Sequence, residues 1–311
     1  EEQVAPEPAR LQDVLSPMDV ADLVCSRSAD LEQALGVLQK GGVQLPGRWA
    51  PAALDGRGEA SLDADAAALL GTRLSTSATR LSAFASCPYR HFARYALGLE
   101  PRPEFRLRPL DLGGFHHRVL DALVKAGLGE GQGLAGLDDR VLAEQVRAIV
   151  QSVVRADPFL AQFVGRSRFN AFRIRQAASA VEACCLDVAR MVRAGAFRPI
   201  LSEAGFGGPD DALGPFGLGL QGGRTLSIRG QIDRIDTAVS QGRRVAIVVD
   251  YKTSEKKLEW AQLYHGLDLQ LPIYLLAVEN AKANGRIDAE PVGAFYMPIE
   301  ASPKQGGLDE A

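Results

Sequence analysis

Apolar residues recur along this chain first at helical spacing and then in a mixture of helical and strand spacing. The longest helical segment, 168–194, carries one apolar face formed by Ile174, Ala178, Val181, Cys185, Val188 and Val192. Helices are also predicted at 78–97 with a break at Pro88, 113–127, 137–156 and 267–283, and strands at 199–206, 224–236, 244–252 and 292–299. This order predicts an α-helical N-terminal part that leads into a mixed α/β core.

Residues 1–74 lack this periodicity. They are rich in Ala, Gly, Asp and Pro, and turn-forming residues punctuate the stretch from Gly41 to Gly58. We expect the tail of a preceding domain and a partly irregular linker there, and a second domain over 75–311. The chain starts Glu-Glu-Gln without a methionine, so we also expect it to be a piece of a larger parent protein.

Two of the predicted strands form a hairpin with acidic ends. A turn at Gln241-Gly242 sets Asp233 opposite Asp250, and directly opposed Cβ atoms lie about 5 Å apart. Lys252 shares a strand face with Asp250, whereas Tyr251 points to the other face. The preceding run, 245–249, is apolar throughout, which predicts a strand buried on both faces that carries these polar residues out of the core.

Two carboxylates at this spacing indicate a metal site. They repel each other unless a hard divalent cation with oxygen ligands, such as Mg²⁺ or Mn²⁺, lies between them. An adjacent ammonium can stabilise the negative charge that develops in a transition state, so the set suits phosphodiester hydrolysis. The alternative is that Asp233 and Asp250 are solvated strand-end residues and that Lys252 is an ordinary surface lysine.

Five segments between about Ser75 and Ile299 occur in an order that is typical of one family. They are Cys87-Pro88-Tyr89 within 77–92, Leu-Gly-Gly-Phe-His-His-Arg-Val-Leu at 112–120, Glu203 on a predicted strand, Asp233 followed by Asp250-Tyr251-Lys252, and Gln270-x-x-x-Tyr274. Together they resemble the PD-(D/E)XK nucleases, in particular the RecB/AddB-type nuclease domain of bacterial helicase-nucleases. The resemblance implies a restriction-endonuclease-like core, with a central mixed sheet flanked by helices, over 75–311.

The resemblance also implies a metal ligand set. Its members are His117, which follows Gly113 by four residues, together with Asp233, Asp250, the carbonyl of Tyr251 and Glu203. The alternatives are that His117 is a satisfied helix histidine and that Glu203 forms an ordinary ion pair, and we expect His116 to be structural.

Lys252, Gln270 and Tyr274 complete the catalytic set that the resemblance implies. Lys252 would polarise the water or stabilise the transition state. Gln270 and Tyr274 are four residues apart and share one helix face, where they would orient Lys252 or a phosphate. The alternative is a helix that packs on the sheet with two polar edge residues.

The implied function is a metal-dependent DNA nuclease, in the service of DNA-end processing and double-strand break repair beside a helicase partner. Exonuclease action is favoured over endonuclease action. The alternative is a catalytically inactive nuclease-like domain that serves as a DNA-binding or scaffolding module. A small-molecule hydrolase on the same metal is a further class. No Gly-x-x-x-x-Gly-Lys-Ser/Thr phosphate loop is present, so we expect no ATP hydrolysis in this piece.

Composition adds limits rather than a function. The 46% hydrophobic content of the 311 residues is ample for a core, and no signal peptide or apolar span of about 18 residues is present, so we expect a cytoplasmic protein without a membrane contact. The net charge of -3 does not indicate nucleic-acid binding. Local clusters could line a phosphate channel or be solvated helix faces: Arg90, Arg94, Arg102, Arg106 and Arg108, and Arg166, Arg168, Arg173 and Arg175.

The cysteines exclude a zinc ribbon and a disulfide framework, because Cys25, Cys87, Cys184 and Cys185 lack the required spacing. By resemblance, Cys87 matches one of four cysteines that hold an iron-sulfur cluster in AddB-type nucleases. The other three have no counterpart in this sequence. Either the chain stops short of them, or Cys87 is a small buried hydrophobic residue.

We predict that the 311-residue chain purifies colourless and free of iron, because only one cluster ligand is present. Visible absorption and iron analysis check this. A stoichiometric iron-sulfur chromophore would show that the ligand set is misidentified.

Overall fold

The computed structural model describes residues 74–100, 102, 105–128, 133–220 and 225–300. The tail and linker predicted over 1–74 therefore lie outside the described residues, apart from Leu74. Within the described part, helices precede a mixed sheet, in the order that the hydrophobic pattern predicts. None of the helices described combines the length and the apolarity that a membrane crossing requires.

Each major helix of the N-terminal part has recognisable start signals in the sequence. The helices are α1 (Ala78–Ser86), α2 (Pro88–His91), a π-helical turn (Phe92–Ala96), α3 (Pro109–Leu128), a 3-10 turn (Gly133–Gly136), α4 (Asp139–Ala156), α5 (Pro158–Arg166) and α6 (Arg168–Ala194). Side chains of Ser77, Asp138, Asp157 and Ser167 accept hydrogen bonds from first-turn N–H groups of α1, α4, α5 and α6. These residue types satisfy otherwise unpaired donors at helix starts.

Seven strands and two further helices complete the described chain. The strands are β1 (Leu74–Thr76), β2 (Arg198–Phe206), β3 (Gly217–Gly219), β4 (Thr225–Ile228), β5 (Gly230–Ser240), β6 (Arg243–Lys252) and β7 (Glu290–Pro298). The helices α7 (Trp260–Tyr264) and α8 (Gln270–Ala283) lie between β6 and β7. The main sheet has the order β2-β5-β6-β7, antiparallel except for the parallel pair β6 and β7, and a small sheet has the order β1-β4-β3.

The β5–β6 hairpin has the register that the sequence predicts. Ser240 pairs with Arg243, and the ladder continues to the pair Arg234 and Val249, so its extension sets Asp233 opposite Asp250. Gln241 and Gly242 both have positive φ, 51° and 74°, which is the conformation of the two-residue turns that match strand twist. The turn therefore fixes which residues meet at the far end of the hairpin.

Strand β6 lies between two hydrophobic layers, as its apolar run predicts. On one face Val249 and Tyr251 pack with residues of α3, α4, α5 and α6, and on the other Ala246 and Val248 pack with residues of α8. Both faces are thus removed from water, and the strand exits this core at Asp250 and Lys252.

Several elements differ from the sequence prediction. Helix α5 is absent from the predicted set, although Asp157 before Pro158 is a helix-start signal. The strand predicted at 224–236 is two strands that belong to different sheets, with β5 extending to Ser240. Helix α8 begins at Gln270 rather than at 267. The short α7, β1 and β3 have too few residues for a periodic pattern to reveal them.

A buried cation lies on the face of the sheet opposite α8. Arg234 is 2% exposed, and its Nε donates to Asp236 Oδ1 at 2.8 Å while its Nη1 donates to the Tyr251 hydroxyl at 2.6 Å. Burial raises the pKa of Asp236, and the charge of Arg234 opposes that rise. Removal of the guanidinium would therefore leave a buried carboxylate without its cation.

We predict that Arg234→Leu lowers the free energy of unfolding by about 3–5 kcal/mol, the usual cost of breaking a buried ion pair from one side. Denaturant titration followed by circular dichroism measures the change. The control is Arg243→Leu at the start of β6, where the side chain is exposed, and we expect less than about 0.5 kcal/mol there. Equal losses in the two variants would contradict the structural role of Arg234.

Candidate metal centre

Three elements bring together one imidazole and two carboxylates. His117 of α3, Glu203 of β2 and Asp233 of β5 each offer a ligand atom, and these atoms all lie within 4.8 Å of one another. His117 Nδ1 lies 3.4 Å from Glu203 Oε1 and 3.3 Å from Asp233 Oδ1. One nitrogen and two oxygen donors at this separation fit a single divalent ion, so the residues are compatible with the metal that the sequence implies.

A second contact holds α3 against β2 next to this group. The Ser202 hydroxyl donates to Asp121 Oδ1 at 2.7 Å. Ser202 precedes Glu203, and Asp121 lies one helical turn after His117, so the hydrogen bond fixes the two ligands relative to each other. The sequence pattern does not reveal this pair, because Ser202 and Asp121 are far apart along the chain.

Glu203 has an unusual backbone conformation. Its φ is 49°, a left-handed value in the middle of β2, while its neighbours keep the ladder through the pairs Ser202 with Arg234 and Ala204 with Ile232. A non-glycine residue in this region is strained, and such strain is concentrated at functional sites. The conformation supports a role for Glu203 beyond strand pairing.

Asp250 and Lys252 lie beside this group and are bridged by a side-chain amide. Lys252 Nζ forms an ion pair with Asp250 Oδ2, and it donates to Gln270 Oε1 at 3.0 Å. Gln270 Nε2 donates to Asp250 Oδ1 at 2.7 Å and to the Tyr274 hydroxyl at 2.9 Å. The first residue of α8 therefore holds the carboxylate and the ammonium together, in the orienting position that the sequence predicts for Gln270.

Burial sets the electrostatics of the two aspartates. Asp250 is 1% exposed and Asp233 is 7% exposed. Burial and the neighbouring charge of Asp233 raise the pKa of Asp250 to about 6, although Lys252 and His117 oppose the rise. Without a further cation the two carboxylates therefore repel each other in a poorly solvated site, and a divalent ion would relieve that repulsion.

Tyr251 contacts the site through its main chain. Its N–H donates to Asp233 Oδ2 at 2.6 Å, which places the backbone at 251 against a candidate metal ligand. The side chain points away into the helical layer, where it is 3% exposed and its hydroxyl accepts from Arg234. The carbonyl of Tyr251 thus leaves the sheet from a residue that is anchored on both sides.

A polar cluster that the sequence pattern does not reveal lies next to Lys252. The Tyr296 ring centroid is 5.3 Å from Lys252 Nζ and 4.2 Å from Lys256 Nζ. The Tyr296 hydroxyl donates to Asp268 Oδ1 at 2.7 Å, and Lys256 Nζ lies 2.9 Å from Asp268 Oδ2. Tyr296 pairs with Asp250 across the parallel strands, so a register prediction for β6 and β7 would have found it.

The two adjacent histidines have opposite environments. Burial lowers the pKa of His116 to about 4, and its side chain is fully buried in the helical part of the protein, consistent with the structural role expected for it. Burial would also lower the pKa of His117, but hydrogen bonds to Asp233 and Glu203 outweigh it and raise that pKa to about 10. His117 is therefore an imidazolium at neutral pH when no metal is bound.

Cys87 has a local structural contact. Its sulfur accepts from the Arg90 N–H at 3.4 Å, which caps α2, and its side chain is partly exposed. Cys184 and Cys185 are buried in α6, as expected for packing residues.

We predict that Mg²⁺ or Mn²⁺ binding at about pH 7 releases about one proton, because a ligand histidine must be neutral and His117 starts protonated. Below its pKa of about 10, affinity rises with pH. Calorimetric titration in buffers of different protonation enthalpy measures both effects. His117→Ala should weaken binding and abolish the release, whereas exposed His265→Ala should change neither. Unchanged proton release in His117→Ala would exclude it as a ligand.

Comparison with known proteins gives the family. The model of the PD-(D/E)XK nuclease superfamily matches residues 75–311. Curated relatives that are named as a subunit of an ATP-dependent helicase/deoxyribonuclease include those of Symbiobacterium thermophilum (36% identical over 238 residues, 74% of this chain and 20% of the relative) and Desulfitobacterium hafniense (38% over 215 residues, 67% and 17%). A third is from Desulforudis audaxviator (34% over 244 residues, 77% and 20%), so the chain spans about a fifth of the length of these relatives. On the match over 75–311, the chain belongs to the PD-(D/E)XK nuclease superfamily.

Proposed function

We propose that residues 75–311 form a metal-dependent deoxyribonuclease domain. The observation that carries the proposal is the position of Lys252 and Asp250 beside the group His117, Glu203 and Asp233. Candidate metal ligands and a candidate catalytic cation thus share one buried site. A fold-only relative that had lost activity would not need to keep both.

The ligands of the metal in this proposal are His117, Glu203, Asp233, Asp250 and the carbonyl of Tyr251. Carboxylate and carbonyl oxygens suit both Mg²⁺ and Mn²⁺, and the imidazole favours Mn²⁺, because imidazole is a ligand of transition metals. When bound, such an ion lowers the pKa of a coordinated water and offsets negative charge on a phosphate.

Lys252 stabilises the charge of the transition state in this proposal. Its ammonium is held by Gln270 Oε1, by Asp250 and over the Tyr296 ring, so it loses little freedom when a phosphate enters. A cation that is already in place stabilises developing charge without reorganisation. Gln270 and Tyr274 act indirectly, since Gln270 orients Lys252 and Asp250 and Tyr274 accepts from Gln270.

The substrate and the partner follow from the names of the relatives. Those names describe a subunit of a helicase/deoxyribonuclease, which supports DNA as substrate and a helicase as partner for this domain. We therefore propose a cytoplasmic role in DNA-end processing and double-strand break repair, with exonuclease rather than endonuclease action. The iron-sulfur cluster is not part of the proposal, since this chain carries only Cys87 of its ligands.

We predict that the wild-type chain cuts linear DNA with Mg²⁺ or Mn²⁺ and that Asp250→Asn does not. The amide is nearly the same size as the carboxylate, so the fold should survive while the metal site loses a charge. Gel analysis of end-labelled DNA and circular dichroism measure the two properties. Equal cutting by both proteins would refute the site assignment, and a well-folded wild type that binds DNA without cutting it would favour the DNA-binding alternative.

We predict a different kinetic effect for the lysine. Lys252→Ala should keep its metal affinity and lose at least about a hundredfold in kcat, because its contribution is made in the transition state. Lys257→Ala is the matched control, since that lysine is exposed five residues along the chain and should retain full rate. A Lys252→Ala protein that loses metal but keeps its rate at saturating metal would reverse the assigned roles.

A further inference from the structure

A cavity of about 590 Å³ lies on α3 beside the metal centre. We name it the arginine pocket. Its lining includes the arginines Arg106, Arg108 and Arg118, the apolar residues Phe105 and Leu110, and Gly114. None of these residues is among the metal ligands or catalytic residues assigned above.

Helix geometry makes the pocket continuous with the metal centre. Leu110 and Gly114 line the pocket, and His117 follows them at the spacing i, i+4 and i+7, which places all three on one face of α3. Gly114 lies about one helical turn, roughly 5.4 Å, from His117. A polymer whose phosphate is at the metal centre would therefore reach the pocket with its neighbouring units.

The pocket concentrates positive charge in a chain whose net charge is -3. Arg108 forms a two-pronged pair with Asp111, at 3.1 Å for each contact, and Arg118 Nη2 donates to Asp157 at 2.7 Å. These two carboxylates hold the guanidinium groups in place. With Arg106 included, the residues that line the pocket carry three guanidinium groups against two carboxylates, so the lining has an excess of positive charge.

A fourth arginine joins the pocket through an aromatic ring. The guanidinium carbon of Arg166, at the end of α5, lies 4.1 Å from the ring centroid of Phe105. Two arginine clusters that are some 60 residues apart in the sequence, represented by Arg106 and Arg166, thus meet at one place. Phe105 and Leu110 are 42% and 76% exposed, so apolar surface lies beside the charge.

Gly114 leaves the main chain of α3 bare at the pocket. Glycine is a poor helix former, and a Cβ at this position would meet no atom within 4 Å, so packing within the protein does not require glycine here. An open helix surface beside cationic side chains allows a ligand backbone to approach closely. Charge, apolar surface and open main chain together fit the phosphate, sugar and base of a nucleotide chain.

We propose that the arginine pocket binds a backbone phosphate of the same DNA strand whose scissile phosphate lies at the metal centre. Phe105 and Leu110 contact the adjacent sugar or base, and the strand crosses α3 over Gly114. The proposal deepens the nuclease function proposed above and rests on it for the identity of the ligand. Its test is made by binding, so that it does not depend on catalysis.

The first test measures the binding of a fluorescein-labelled oligodeoxythymidylate by anisotropy, with EDTA present so that no cutting occurs. Arg106→Ala should weaken binding about tenfold, the loss expected for one charge-assisted contact. The slope of log affinity against log salt should fall by about 0.7, the value for one single-strand phosphate. Arg140→Ala removes the same charge from an exposed site outside the pocket and should leave both quantities unchanged.

The second test blocks the strand without removing a charge. Gly114→Leu places a side chain where the structure has open space, so its thermal midpoint should not fall while its affinity for the oligonucleotide does. In cleavage assays both pocket variants should raise KM and keep kcat. Wild-type affinity and KM in both Arg106→Ala and Gly114→Leu would overturn the pocket proposal while leaving the nuclease proposal intact.

The two proposals can fail separately. If the wild type binds the oligonucleotide and never cuts it, and Arg106→Ala still weakens that binding, the pocket proposal stands and the nuclease proposal falls. If the wild type does not bind the oligonucleotide, the pocket proposal is wrong, whatever the cleavage assay shows.

Discussion

The enforced proximity of two buried carboxylates, Asp233 and Asp250, is the constraint on which the rest of the site depends. The hairpin register brings them together, and burial on both sides of β6 removes the water that would screen them. Each has a cation within reach, His117 for Asp233 and Lys252 for Asp250. The protein thus compensates part of the repulsion with side chains and leaves the remainder for a divalent ion.

The sequence alone predicts the parts of this arrangement that are local or periodic. The apolar run before Asp250 and the turn at Gln241-Gly242 are both visible in it, and together they determine the hairpin and the face that Lys252 occupies. The choice of His117 over His116 required the family resemblance, because both residues lie on the same helix. The structure separates them by environment, since His116 is buried in the helical part and His117 contacts two carboxylates.

Other parts of the site could not be predicted, because they depend on how distant elements pack. The Ser202–Asp121 hydrogen bond joins a strand to a helix, and the cluster of Tyr296, Lys256 and Asp268 requires the parallel register of β6 and β7. The meeting of the arginine clusters depends on the position of α5, a helix that the hydrophobic pattern did not reveal. Charge clusters in a sequence therefore indicate a binding surface only after their helices are placed.

The left-handed backbone at Glu203 has a consequence for how rigid the metal centre is. Ladder pairs flank this residue on both sides, so the deviation is confined to one position of an otherwise regular strand. Side chains on loops can be redirected freely but are held loosely, whereas side chains on strands are held firmly but alternate in direction. At Glu203 the edge strand combines the two properties: it aims a carboxylate as a loop would, while the hydrogen bonds on each side keep that carboxylate from drifting when the ion leaves.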